Sequence, residues 1–381
     1  MDPRLTLTFA LACGLTAGNL YYAQPLLGVL GKAFGVGTDK TSLIVTLTQL
    51  GYALGLLLLV PLGDMFENRR LIGRVLWLTS LALLGASFAP NFATFALASL
   101  AIGFTSVVAQ VLVPFAAFLA PAAERGRVVG QVMSGLLIGV LLARAVSGLV
   151  AEALGWRAVF QLSAALLVLL NVWLAMILPK RQPNNQLTYG QLLGSLKRIF
   201  LDHEPLRRRA LYQVTMFGSF SIFWTGLTFW LSAPPWNYGQ AAIGRFALVG
   251  AIGALSAPWF GRQGDVGRGR PLTGLCLLGA AGGFALTLQG SLWALILGTL
   301  VLDACVQATL ILGQQVIYQL DPDQRSRINT LYIASFFLGG AMGSALAGWA
   351  FARWGWAGVV ALGCGLPLSG FLYWLSEKKA P

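Results

Sequence analysis

What most limits the folds open to this chain is the recurrence, from its first residues to its last, of apolar stretches about as long as the roughly 20-residue helix that crosses a bilayer. They fall near 6–30, 41–62, 71–89, 91–119, 128–151, 158–178, 209–231, 241–260, 271–288, 291–318, 328–351 and 357–375. In hydrocarbon every backbone amide must be satisfied without water, which a helix does within its own segment. The expected fold class is therefore an all-α polytopic membrane protein with twelve transmembrane helices. Breaks carrying Pro, Gly or Asn separate the stretches: "PLGD" from 61, "APN" from 89, "SAPPWNYG" from 232 and "LDPDQRSR" from 320. The apolar run after "MDPR" is too long for the core of a cleavable signal, so it is expected to be a retained first span.

Composition agrees with a bilayer setting. Hydrophobic residues make up 57% and charged residues 10%, against about 25% charged in soluble domains. The formal net charge of +13 would suggest a nucleic-acid partner in a soluble chain, but here its placement matters more than its size. With the amino terminus in the cytoplasm, 20 of the 26 basic residues fall on the inner side. They are Arg4, the loops around Arg69, Arg125, Arg262 and Arg325, the segment from Lys180 to Arg209, and Lys378 and Lys379. That bias predicts both termini in the cytoplasm and makes the charge a topology signal, with no nucleic-acid partner expected. Cys13, Cys276, Cys305 and Cys364 lie in apolar runs without metal spacing, and the one histidine, His203, lies in the central linker. No metal, cofactor or nucleophilic triad is expected, and the phosphate-loop pattern G-x-x-x-x-G-K-S/T is absent. The chain is expected not to be an enzyme.

An internal repeat organises the spans. "ERGRVVGQVMSGLLIGVLLARAVSGLVAEALGW" (124–156) aligns without gaps on "QRSRINTLYIASFFLGGAMGSALAGWAFARWGW" (324–356), pairing Arg125 with Arg325, Gly139 with Gly339, Gly148 with Gly348 and Trp156 with Trp356. A second echo joins "PLGDMFENRR" (61–70) to "GRQGDVGRGR" (261–270). The expected organisation is a six-helix bundle over 1–178, a cytoplasmic linker over 179–208 and a second six-helix bundle over 209–381, a pattern of transporters built from repeats.

With these motifs the sequence resembles the major facilitator superfamily, and within it the bacterial drug:proton antiporter-type efflux proteins. The loop after span two matches the family's acidic-basic motif through Asp64, Arg69 and Arg70, departing from it at Val60 and Met65. The second copy is fuller, with Gly261, Asp265, Gly267, Arg268 and Arg270. The antiporter motif of span five is matched at Gly139 and Gly148, whereas Ala143 and Ser147 replace glycines and Arg144 takes the place of a proline. The resemblance implies a carrier of the bacterial inner membrane with two six-helix halves, a central cavity, and alternating access driven by a proton gradient. It also implies a conformational latch in the inner loops, here Asp64, Arg69, Arg70, Arg127, Asp265 and Arg268.

Two charged residues stand inside spans. Arg144 cannot discharge its guanidinium by deprotonation, so its charge must be met by a carboxylate, carbonyls, water or an anionic ligand. Asp303 is the acidic residue nearest the middle of a span, and a carboxyl there suits proton coupling. Both are candidates for that role, with snorkelling and plain structural burial as the alternatives. Glu152, near the end of span five, is expected to be a solvated carboxylate. Substrate-cavity candidates are Asn19, Tyr22 and Gln24 before Pro25 in span one, Gln49 and Tyr52 in span two, and Gln110 in span four. The second half adds Gln213 and Phe217 in span seven, Gln307 in span ten, and Asn329 and Tyr332 in span eleven. Tyr22 is preferred to Tyr21 as the cavity-facing tyrosine of span one. The aromatic run "FSIFWTGLTFWLSAPPW" of span seven fits either a cavity wall or an interfacial belt.

The expected function is proton-coupled export of small amphipathic compounds by a monomeric carrier, with protons, the small-molecule substrate and the lipid bilayer as its partners. Two readings stay open beside it: proton-coupled import of a small organic anion, and a non-transporting membrane receptor.

Overall fold

In the computed structural model, which describes residues 2–121, 124–183, 188–254, 256–321 and 324–377, the regular structure of the described residues is helical throughout. Lys378 and Lys379, and residues 184–187 of the linker, lie outside the described residues. Local chemistry sets several helix starts. Asn91 Oδ1 accepts from the Thr94 amide at 3.0 Å to open α6 (Phe92–Thr105), and 200 positions later Ser291 Oγ accepts from Ala294 at 3.2 Å to open α15 (Leu292–Ile317).

Nine runs among the described residues are long and apolar enough to cross a membrane. The difference from the twelve expected spans has identifiable causes. Spans eleven and twelve join in one run, α16 (Arg325–Leu375), which turns at Gly355 with φ 58° and ψ −149°. Span one is interrupted: α1 (Pro3–Gly18) ends before a short 3-10 turn at Gln24–Leu26, and α2 (Leu27–Phe34) continues it. Span eight is split into α12 (Gln240–Ala254) and α13 (Ala257–Gln263), with Pro258 early in the second piece.

The chain forms two compact units. The first comprises Met1–Phe34, Leu47–Ser195 and Gly239–Gly244. Here α1 lies along α8 (Arg125–Leu154), and a Cβ added at Gly14 would come within 2.6 Å of the Gly135 carbonyl. Small residues thus let the two backbones touch. Trp156, at the start of α9 (Trp156–Ile177), packs edge-on against Phe34 at 5.6 Å and Phe95 at 5.5 Å. The Gly239–Gly244 segment packs on α8, where Glu152 Oε2 accepts from the Ala241 amide at 2.9 Å. Glu152 is exposed as expected, but it is also the N-terminal cap of α12.

The second unit comprises Gly35–Thr46, Leu196–Tyr238 and Arg245–Pro381. It repeats the same devices. The helix α11 (Glu204–Ser232) lies along α16, with Gly218 against the Gly339 carbonyl. Trp356 stacks on Trp230 at 4.4 Å and meets Phe223 at 6.0 Å. The aromatic run of span seven is mostly neither belt nor open wall, since Phe223 is fully buried and Trp224 is 4% exposed. Thr46 Oγ1 and Ser344 Oγ meet at 2.9 Å within this unit.

Candidate functional site

In the first unit, polar groups gather where span one leaves the helix. Beyond Gly18 the amides of Leu20 and Tyr21 bond three residues back, to Ala17 and Gly18, and Pro25 brings no amide of its own. The backbone freed by this break is met from α8, where Ser147 Oγ donates to the Tyr22 carbonyl at 2.6 Å. One turn earlier, Arg144 is only 6% exposed. Its Nε donates to Gln24 Oε1 at 2.6 Å, and its guanidinium carbon lies 4.7 Å from the centre of the Tyr21 ring. The ring face supplies partial negative charge where water is excluded. Asn19 accepts from Ser163 Oγ at 2.9 Å through Oδ1. Asn19 Nδ2 and Gln24 Nε2 are buried donors with no hydrogen-bond partner among the described residues. In the same unit Gln110 Nε2 donates to Tyr52 Oη at 3.1 Å, and Gln49 is buried.

In the second unit, Asp303 on α15 is buried and accepts from Trp224 Nε1 at 3.3 Å. The opposite wall is α12, and a Cβ at Gly250 would overlap Asp303 Oδ2. One turn on, a Cβ at Gly253 would lie 2.9 Å from the Ala304 amide and 3.0 Å from the Leu300 carbonyl. The first unit makes a corresponding crossing, but there a Cβ at Gly103 would meet the main chain of Thr48 and not its side chain. There Gly51 of α4 (Leu43–Leu58) faces the Phe104 amide and the Leu100 carbonyl, while Thr48 stands where Gly250 does and Gly103 stands where Asp303 does. The carboxylate therefore fits because the glycine sits on the neighbouring helix.

The other cavity candidates of this unit each have their own local partners. Phe217 is buried and stacked on Phe220 at 5.2 Å. Tyr332 is fully buried with its hydroxyl 3.4 Å from the Leu310 carbonyl. Gln213 is buried, Gln307 is half-buried, and Asn329 Oδ1 accepts from Gln314 at 3.3 Å and Tyr318 at 3.0 Å.

Within the loops, Arg127 pairs with Glu124 at 3.1 Å, which holds the Glu124 carboxyl below the ordinary carboxylate range. Arg70 pairs with Glu67 at 3.0 Å, and Arg69 Nη1 donates to the Leu178 carbonyl at 3.3 Å. Asp64 is exposed at the end of a 3-10 turn, Val60–Asp64. In the second copy Asp265 Oδ1 accepts from Gln315 Nε2 at 2.8 Å, and Arg268 Nη1 donates to Gln263 at 3.0 Å.

Several participants carry no advance signal. Tyr21 underlies Arg144 although helical periodicity favours Tyr22, because the segment is not a helix and its periodicity does not apply. Asn68 is 1% exposed and ties the first loop together, its Nδ2 donating to Gly63 at 2.7 Å and its Oδ1 accepting from Arg181 at 3.3 Å. Glu377 joins Arg209 at 2.6 Å and the Tyr212 hydroxyl at 2.9 Å. Trp224 and Gly250 become legible only once α11 and α12 are known to flank α15.

The profile of the Major Facilitator Superfamily matches residues 9–288 and 236–381. The Escherichia coli O157:H7 protein "Uncharacterized transporter YgaY" is 44% identical over 376 residues, covering 98% of this chain and 95% of its own length. "Probable transporter SCO4007" of Streptomyces coelicolor is 35% identical over 358 residues, covering 93% and 83%. Among solved structures, the bacterial homolog of the human lysosomal transporter Spinster superposes with a TM-score of 0.79 at 15% identity, covering 98% of this chain and 96% of that one. The nucleoside transporter NupG gives 0.78 at 14%, covering 98% and 99%. At such identities these two likenesses speak for the fold alone.

Proposed function

The chain belongs to the major facilitator superfamily, a family of secondary transporters and not of enzymes, and from that premise we propose that it is a proton-coupled carrier exporting small amphipathic compounds by alternating access. In this reading it is a monomer in a bacterial inner membrane, with its basic loops and both termini in the cytoplasm. Asp303 carries the coupling proton. What supports it is the placement of that carboxyl: buried in mid-span, held by a neutral indole N–H, and given its room by Gly250. In this reading the carboxyl takes up a proton in one access state and gives it up in the other, as a coupling site requires. The apolar, aromatic neighbourhood of Phe217 and Tyr332 suits an amphipathic cargo over a sugar, which needs denser hydrogen bonding. Asp64, Arg127, Asp265 and their neighbours act as the inner latch.

The test is Asp303→Asn in proteoliposomes. Accumulation of an amphipathic dye against its gradient, driven by an imposed pH difference, is expected to be lost, while solute exchange at equal pH continues. Undiminished pH-driven accumulation in the variant would remove the coupling role.

A further inference from the structure

We infer that the cluster built by Arg144, Gln24 and Tyr21 is a seat for the carboxylate of the transported compound, so that the cargo is an amphipathic monoanion. The inference rests on the transport reading above and adds the chemical class of its substrate.

Three observations carry it. The first is a fixed positive charge: Arg144 is a guanidinium 6% exposed, held in place by its Nε–H to Gln24 Oε1 at 2.6 Å and by the Tyr21 face at 4.7 Å. The second is an amide aimed by that bond. Because Gln24 Oε1 is spent on Arg144, the orientation of the carboxamide is set, and its Nε2 donor stands beside the guanidinium. That donor is buried in a residue 2% exposed and has no hydrogen-bond partner among the described residues. A buried N–H without an acceptor is costly, and an arriving oxygen relieves that cost. The third is the dryness of this stretch of α8: Ala143 and Ala145, on either side of Arg144 along the chain, are buried with it, so in this conformation little water competes for the charge.

These features select the ligand. Guanidinium and carboxamide both donate from a plane, which matches the two oxygens of a carboxylate. A phosphate dianion would bring a second negative charge into a dry site around this guanidinium, a poor exchange for its hydration. The apolar body of the cargo is the one the transport reading already requires, and the seat adds its charge. Since the donors are covered in this structure, the seat opens only in a conformation that uncovers them, which ties binding to the transport cycle.

The experiment uses the purified full-length protein and matched probes: 4-phenylbutyrate, its amide 4-phenylbutyramide, and decanoate as a membrane-borne carboxylate. The expected result is that 4-phenylbutyrate raises the thermal unfolding temperature at concentrations about tenfold or more below those needed for the amide, the ratio appropriate to losing one hydrogen bond to a charged group. Gln24→Glu is the decisive variant. It keeps size and pairs with Arg144, so it folds, but it fills the anion's place, and the preference for carboxylate is expected to vanish. Arg144→Gln should do the same, and Arg144→Lys should retain part of it. Equal responses to acid and amide in the wild type, or a preference that survives Gln24→Glu, overturns the inference. A response to decanoate alone, with 4-phenylbutyrate no better than its amide, overturns the inference too, whereas a response to both acids that Gln24→Glu abolishes supports it.

Failure here is separable from failure of the transport reading. If pH-driven dye transport depends on Asp303 while carboxylates show no advantage, the carrier stands and the anion seat falls. If carboxylates bind through Arg144 and no solute moves on a pH gradient, the seat stands and the carrier falls.

Discussion

A methyl group at position 250 would occupy the space of an Asp303 carboxylate oxygen, whereas one at Gly282 meets nothing within 4 Å. Overfilling a packed site costs about 1–3 kcal/mol, so Gly250→Ala is expected to lower the thermal unfolding temperature in detergent and Gly282→Ala to leave it unchanged. Equal melting of the two variants would mean that the crossing yields and that Asp303 is loosely held. The same comparison separates what could be foreseen from what could not. Asp303 and Arg144 stand out in a linear chain because a charge in an apolar run is its own signal. Gly250 does not, since glycine abounds in these spans and its meaning comes from a partner 53 positions away. Tyr21 was obscured for another reason: choosing between adjacent tyrosines presumes a helix, and the helix has already ended at Gly18.

For the helices, the break in span one is the feature with the largest consequences. Pro25 marks a bend in the sequence, but the regular helix ends seven residues earlier and leaves carbonyls that another helix must satisfy. Ser147 does so at Tyr22. Removing that hydroxyl with Ser147→Ala leaves a buried carbonyl with one donor fewer and is expected to cost about 1–3 kcal/mol. Amide exchange should show where the cost falls, with faster exchange confined to residues 19–24 and their contacts. Uniform loosening of α1 would instead mean that the break is held by packing rather than by this bond. Helix existence was legible nearly everywhere, because length and apolar content suffice for it. Helix continuity was not, since the fusion at Gly355 and the division of span eight depend on backbone geometry that many residues tolerate.

Across the whole molecule, the 200-residue repeat is legible in the sequence and recurs as duplicated structure. The caps at Asn91 and Ser291, the aromatic clusters at Trp156 and Trp356, and the glycine contacts of α1 with α8 and of α11 with α16 follow it. Orientation in the membrane rests on the basic loops alone. Their bias leads us to expect that a fluorescent protein fused at the carboxyl terminus will glow in intact cells while alkaline phosphatase at the same position stays inactive. The reverse pattern would invert the assignment of every loop. The two halves nevertheless diverge at one contact: a Cβ at Gly103 would run into the main-chain carbonyl of Thr48, whereas a Cβ at Gly250 would run into the side chain of Asp303. The acid is therefore not portable. An aspartate grafted at 103 would collide with main chain that no substitution at 48 removes, so a designer who wished to move the carboxyl from one duplicated half to its twin would first have to pull two helices apart.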